Sequence, residues 1–315
     1  MKRLVNILLG SLAVLLLLVL AVLFGIGITV PSVYYQGPFA FGVHTDSNVF
    51  QQPPWGLFSN MDVFDISPRL IGHHFYLLGS DGGGRDVLAL VARGAPRSLE
   101  VAAVVVLGRF LVGGLAGLAM GLGVNWVRNL SRAMGRWVSG FPYLALAAIV
   151  IQGLTPGSRA AAFIVGMTLV GWRDIAEVVS ERIDHVRSQP YAMGARSLGT
   201  GPLLFFRLHV LPHLRPALAI EIPFQAAAVL VLLAELGYLG VFLGGAAHYS
   251  TGDGGASYTL VNDPELGQLL AGARQYIELR QYPPVLVPAV ALALAALSFE
   301  LIGVVFRRQG GPPSD

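Results

Sequence analysis

Residues 4–30 read LVNILLGSLAVLLLLVLAVLFGIGITV, 27 positions without a charge. A helix over this run is about 40 Å long, enough to cross a hydrocarbon core of about 30 Å with some tilt. Nineteen of its residues are Leu, Ile, Val or Phe. At roughly −0.3 to −0.6 kcal/mol each near the bilayer centre, insertion is favourable by roughly 6–11 kcal/mol. The rival reading is a cleaved signal peptide, but its apolar core is only about 7–15 residues long and ends at a small-residue cleavage site. The run is therefore read as a first membrane span, and Lys2 and Arg3 before it place the N-terminus in the cytoplasm.

The rest of the chain has the same character. Of 315 residues, 54% are hydrophobic and 12% charged, against about 25% charged in a soluble domain. That balance excludes a disordered chain and a nucleic-acid-binding domain and leaves a polytopic membrane protein. Cysteine is absent, so no disulfide, thiolate metal site or cysteine nucleophile exists. Lys2 is the sole lysine. A phosphate-binding loop of the GxxxxGK[ST] type needs a lysine further into the chain, so any ATP used here is bound by another chain. Neither an HExxH zinc motif nor a GxSxG nucleophile elbow is present.

Five further apolar stretches follow, at 98–122, 137–155, 160–178, 216–246 and 285–306. The expected fold is an all-α polytopic membrane protein with six transmembrane helices and both termini cytoplasmic. Its parts are a first helix (1–30), an extracytoplasmic segment (31–97), a five-helix core (98–306) and a cytoplasmic tail (307–315). The core contains a cytoplasmic loop at 179–215 and an external loop at 247–284. Of the 21 basic residues, 13 fall on the inner side, 7 on the outer side, and Arg109 inside a span. The inner loop 123–136 has three arginines and no acid, which agrees with positive-inside orientation. Segment 31–97 is read as a solvated loop. Its His73–His74 pair gives two ligands without a third, so no metal site is assigned. Loop 247–284 opens with the flexible run 250–257.

A few polar residues lie inside the spans. Arg109 near mid-span costs about 2.5–3.5 kcal/mol and should face another helix or a watery cavity. Glu100, nine residues away, projects from a different face and cannot pair with it. Gly113, Gly117 and Gly121 form a small-residue stripe that lets another helix pack closely. Glu221, Glu235 and Glu300 are intramembrane carboxylates. Each either serves function or hydrogen-bonds a neighbouring helix. Arg109, Glu235 and Glu300 are the candidates for a translocation path, and an ion-coupled transporter would use the same three.

The most informative stretch is 171–215, the longest inner loop and dense in charge. Ser188-Gln189-Pro190 predicts a helix start with Pro190 in the first helical position, and Gly199 predicts its stop. Between them Tyr191, Ala195 and Leu198 fall on one apolar stripe. Such a helix either docks in a partner's groove or lies on the membrane surface. A second apolar stretch, 203–210, ends at Leu211-Pro212. His209 and His213 stand four apart, with Leu211-Pro212 expected to interrupt the helix between them, so no metal site is assigned there either.

Here the residues carry a resemblance. Tyr191-Ala192-Met193-Gly194-Ala195-Arg196-Ser197-Leu198-Gly199, followed by His209-Val210-Leu211-Pro212, resembles the EAA loop of binding-protein-dependent ABC importer permeases. Gly199, Leu211 and Pro212 stand at the matching offsets from Met193. Residues 78–86, LGSDGGGRD, are similar to the external LGTDxxGRD motif of the dipeptide/oligopeptide/nickel branch. Phe141-Pro142 opens the third span as in that family, Gly171-Trp172 closes the fourth, and 267–276 resembles the external helix before the last. The likeness runs from about Leu78 to Gly303. Two departures stand out: Met193 replaces the family's glutamate and Gly194 its first alanine, while segment 31–77 looks longer than usual.

The resemblance implies a type I ABC importer permease-like (MetI-like) bundle in a prokaryotic inner membrane. It implies a second homologous permease subunit, two ATPase subunits that hold ATP and Mg, and an extracytoplasmic solute-binding protein. The chain itself binds no cofactor, does no covalent chemistry, and contacts the lipid bilayer but no nucleic acid. The coupling loop would be Tyr191, Met193, Gly194, Ala195, Leu198, Gly199, His209, Leu211 and Pro212. Peptide is the first expectation for the solute, metal chelate or sugar the next. The alternatives are an ion-coupled transporter, or a non-transporting scaffold whose altered loop no longer couples to ATP.

Overall fold

The charge-free N-terminal run forms one helix, α1 (Lys2–Thr29), and a short turn of helix follows, α2 (Val33–Gln36). In the computed structural model the described residues are 2–36, 41–44, 50–64, 70–138, 143–154, 159–244, 246–250, 257–261 and 264–309. The remaining helices are α3 (Val87–Gly121), α4 (Asn125–Val138), α5 (Tyr143–Gly153), α6 (Arg159–Arg187), α7 (Pro190–Ser197), α8 (Pro202–Phe205), α9 (Leu211–Tyr238), α10 (Leu266–Leu269), α11 (Ala273–Glu278) and α12 (Pro283–Gln309). A π-helical turn, Phe206–Val210, joins α8 to α9.

Each expected span falls on a helix, although the fifth, expected over 216–246, is helical only to Tyr238. Among the described residues four helices have the length and apolarity to cross a bilayer: Val5–Thr29, Val87–Gly121, Phe206–Tyr238 and Pro283–Gln309. The third expected span is the shorter apolar helix α5, and its Phe141-Pro142 opening lies outside the described residues. The fourth differs most from expectation. Gly171-Trp172 does not close it, because α6 runs on to Arg187. Its charged second half is amphipathic, with Ile175, Val179, Ile183 and Val186 buried in one stripe, so hydrophobic spacing holds the helix together where charge suggested a loop. The second span also starts early, at Val87. Its first turn is capped by Asp86, whose Oδ1 accepts the Ala89 N–H at 2.9 Å.

The chain forms two compact units. One comprises Met1–Ala13, Ala102–Val229 and Phe299–Asp315. In it the second half of α3 packs along α6, and a Cβ on Gly117 would stand 2.6 Å from the Ala176 carbonyl oxygen and the Val179 Cβ. A Cβ on Gly121 would meet the Ile183 side chain at 2.6–2.9 Å, and a Cβ on Gly113 would overlap the Trp172 carbonyl oxygen. All three positions of the small-residue stripe therefore face α6.

The other unit comprises Val14–Val101 and Leu230–Ser298. Its segment before α3, expected as a loop, carries a four-stranded antiparallel sheet of order β2-β1-β3-β4. The strands are β1 (Phe41–His44), β2 (Phe50–Gln51), β3 (Ser59–Phe64) and β4 (Leu70–Tyr76). Tyr34, Trp55, Met61, Val63 and Tyr76 form its core. The pleat sends adjacent side chains to opposite faces, and this separates the histidine pair. His73 binds Asp62 at 3.1 Å, while His74 stacks on Tyr34 and binds Asp86 at 2.9 Å.

The LGSDGGGRD segment is a tight turn held by its own acids. Asp81 accepts the Gly83 and Arg85 N–H groups at 2.9 Å and pairs with the Arg85 guanidinium at 2.6 Å. The Gly82 N–H donates to the Tyr276 hydroxyl at 2.9 Å. The loop after α9 holds a hairpin, β5 (Ala246–Ser250) with β6 (Ser257–Val261). Most of the run expected to be flexible, 251–256, lies outside the described residues. Glu265, 1% exposed, caps α10 by accepting from Gly267 N at 3.2 Å and Gln268 N at 2.9 Å, and it accepts from the Ser98 hydroxyl at 3.3 Å. Burial pushes its carboxyl up to about 7, against the opposing pull of those donors.

Candidate functional site

The segment after α6 folds back on it. Pro190 occupies the first position of α7, where no N–H is needed. The chain reverses into α7 through Ser188, whose hydroxyl donates to the His185 carbonyl at 2.7 Å, and through Gln189, whose carbonyl accepts the N–H groups of Ala192 and Met193. At the other end Gly199 adopts φ +79°, and the Thr200 N–H reaches the Ala195 carbonyl at 3.2 Å. That is a Schellman termination, and its left-handed residue favours glycine.

Against its own chain α7 buries a position off the stripe expected to dock. Ala192 is fully buried, in one cluster with Ile175, Val179, Ile183 and Val186 of α6, Phe205, Val210 and Leu214. Ala195 is partly buried against the same cluster. Tyr191 is 46% exposed, Met193 54% and Leu198 88%. The helix thus turns Ala192 inward, while Tyr191, Met193 and, just past its end, Leu198 face its surroundings. Position 194 also faces open space, since a Cβ there would meet nothing within 4 Å.

Leu211-Pro212 does not interrupt the helix between His209 and His213. A proline in a regular helix lacks the N–H and crowds the carbonyl four residues back. Here the preceding turn widens to π geometry, with the Leu211 N–H bonded to the Phe206 carbonyl, and α9 continues through Pro212. His213 Nδ1 donates to the His209 carbonyl at 2.7 Å. The Tyr191 ring lies 5.7 Å from the His209 ring and 6.5 Å from that of His213, so all three belong to one surface. Among the described residues no group of three or more potential ligands is placed to hold a metal ion.

Arg109 is 1% exposed. Its Nη1 donates to Gln225 Oε1 at 2.8 Å, its Nη2 to the Tyr143 hydroxyl at 2.9 Å, and its Nε and Nη2 to the Met167 carbonyl at 3.2 and 3.1 Å. One guanidinium therefore ties α3, α5, α6 and α9 together through neutral acceptors. Gly171 makes room for it, since a Cβ there would overlap the guanidinium. Glu235 and Glu300 are both exposed, so neither is a buried counter-charge. Glu221 lines a cleft of about 430 Å³ with Glu181, Arg182, His185 and Arg307. Neither Gln225 nor Tyr143 carries a local signal in the sequence, and Ala192 stands in the EAA-like stretch without any sign that it is the buried position. Only a buried arginine's need for acceptors pointed toward the first two.

Residues 113–309 match the family model described as "Binding-protein-dependent transport system inner membrane component". The chain is 26% identical over 227 residues to the dipeptide transport system permease protein DppC of Alkalihalophilus pseudofirmus, covering 71% of this chain and 68% of that protein. It is 28% identical over 251 residues to a putative peptide permease protein of Brucella ovis, covering 78% and 75% respectively. A chain in the crystal structure of an amino acid ABC transporter with histidines aligns at a TM-score of 0.48 with 15% identity, over 70% of this chain and 94% of that one.

Proposed function

We propose, from the premise that this chain belongs to the family of binding-protein-dependent transport system inner membrane components, that it passes peptides and is driven by separate ATPase chains docked on α7. Family membership makes it a multi-pass inner-membrane permease of an ABC importer. The peptide reading draws on the substrates named for its relatives. The observation that carries the docking is the exposure of Tyr191, Met193 and Leu198 above the buried Ala192. An ATPase groove that receives those three side chains grips α7 without disturbing its base. Movement of α7 then reaches α6 through Ala192 and the Ile183 stripe, and reaches α3 through the glycines packed on α6. Both termini and α7 lie on the cytoplasmic side in this reading, in line with the arginine distribution. A homologous second permease and a solute-binding protein complete the importer, and ATP is hydrolysed on the ATPase chains alone.

The test is peptide uptake by proteoliposomes holding the permease pair and ATPases, with the binding protein outside. Uptake that needs ATP supports the proposal. Uptake that survives ATP depletion and collapses with a proton uncoupler replaces it with an ion-coupled carrier. No uptake under either condition leaves a scaffold.

A further inference from the structure

We propose that α4 is an interfacial helix that lies in the bilayer surface and binds anionic phospholipid headgroups through its arginines. The helical repeat divides its 14 residues into three faces. Val127 is buried in a cluster with Met120, Trp172 and Ala176, with Met134 packed against it, and Ser131 on the same face is buried too. That face holds the helix on its own unit. A second face carries Trp126, 69% exposed, and Leu130, 46% exposed, continuing the exposed Leu122 just before the helix. The third carries positions 128, 132 and 136, all arginine and one turn apart. Arg128 is braced by the Met120 carbonyl at 2.7 Å and by Asp184 at 3.3 Å, and Arg132 is exposed.

An exposed tryptophan and leucine beside an arginine row are the signature of a helix at the headgroup level. The apolar face enters the acyl boundary and the cations meet the phosphates. Charge complementarity selects anionic lipid: no Asp or Glu occurs between Glu100 and Asp174 in the sequence. Position favours a lipid occupant too, since α4 directly follows a helix long enough to cross the membrane. Arg187 donates to the Gly121 carbonyl at the end of that helix, which sets α4 at the same end of α6 as α7. Which leaflet is bound rests on the sidedness proposed above, whereas the lipid contact does not.

The chain lacks cysteine, so single nitroxide labels can be placed at Trp126→Cys, Leu130→Cys and Arg132→Cys without background. The full permease complex is reconstituted in phosphatidylcholine vesicles with and without phosphatidylglycerol. Labels at 126 and 130 should collide with oxygen in preference to a water-soluble nickel chelate, and the label at 132 should do the reverse. In a second arm, Arg132→Gln with Arg136→Gln should lower selectivity for phosphatidylglycerol by about 25-fold, which is about fivefold, or about 1 kcal/mol, per arginine. Nickel access at 126 and 130, or shielding there from both reagents by a partner protein, overturns the proposal. So does unchanged lipid selectivity in a folded double variant. The depth measurement retains the native arginines or alters one alone, so it decides the matter if the double variant fails to fold. ATPase association is read in the same samples, so failure of α7 docking is seen separately.

Discussion

Leu198 offers the sharpest test of docking on α7. It is 88% exposed, so Leu198→Ala removes almost no contact within the chain and should change stability by no more than about 0.5 kcal/mol. In the proposed docked complex the same side chain would be buried in the ATPase groove. Three carbon groups at about 0.8 kcal/mol each, scaled to the part that is free, amount to about 2 kcal/mol. That corresponds to about a thirtyfold weaker ATPase affinity. Ala192→Leu is the matched control. Its site is fully buried, so a larger side chain overpacks the α6 cluster and costs about 1–3 kcal/mol of stability. The assay is ATPase binding to the nanodisc-held permease by fluorescence anisotropy, beside thermal unfolding of the same samples. Leu198→Ala should lose affinity and keep its melting temperature, while Ala192→Leu should lose melting temperature first. A Leu198→Ala variant that binds its ATPase at full strength would refute the docking argument, because no groove then receives that side chain.

Four other outcomes are expected. Met193→Glu should keep ATPase binding within a few-fold, since the position is 54% exposed and the new carboxylate meets no buried surface of this chain; the same anisotropy assay reads it. Gly117→Leu should lower thermal stability in detergent by about 1–3 kcal/mol, because any side chain there strikes the Ala176 carbonyl. Arg109→Ala should destabilise by at least about 1–3 kcal/mol by stranding the buried Gln225 and Met167 acceptors, and Arg109→Lys should restore only part of that loss, because one ammonium cannot span all three partners. Glu265 should make stability fall as pH rises from about 4.5 toward 7. Across that window the folded chain keeps the proton that the unfolded chain has lost. Melting curves of Glu265→Gln should lose that slope.

The spans and the ends of α7 were legible because each is written locally. Apolar runs name the helices, Pro190 starts α7, and Gly199 stops it by a backbone conformation that glycine favours. What was not legible depends on neighbours distant in sequence. The four-stranded sheet is made of short strands among glycines, prolines and polar residues, and only pairing across the sheet buries Met61 and Val63. The extension of α6 past Gly171-Trp172 was masked by its charges, which line the outer side of a helix whose inner stripe is apolar. The face of α7 could not be read from its own periodicity either. Tyr191, Ala195 and Leu198 make a regular stripe, but it is Ala192 that packs on α6, in a cluster completed by Phe205, Val210 and Leu214 from later in the chain.

These observations give α6 a particular mechanical place. One side of its second half is filled by the base of α7 and by the turn leading into α9, and the glycines of α3 press against it at Trp172, Ala176, Val179 and Ile183. Close-packed contacts of this kind transmit displacement because neither side has space to yield. Nearer the helix start, at Met167 and Gly171, the Arg109 guanidinium fastens α6 to three other helices through a directional set of hydrogen bonds. A push on α7 therefore enters α6 at a packed end and meets a fixed point about three turns away. The geometry favours rotation or bending of the second half of α6 about the Arg109 knot over sliding of the whole helix, since sliding would break the Met167 bond and drive the α3 glycines into side chains.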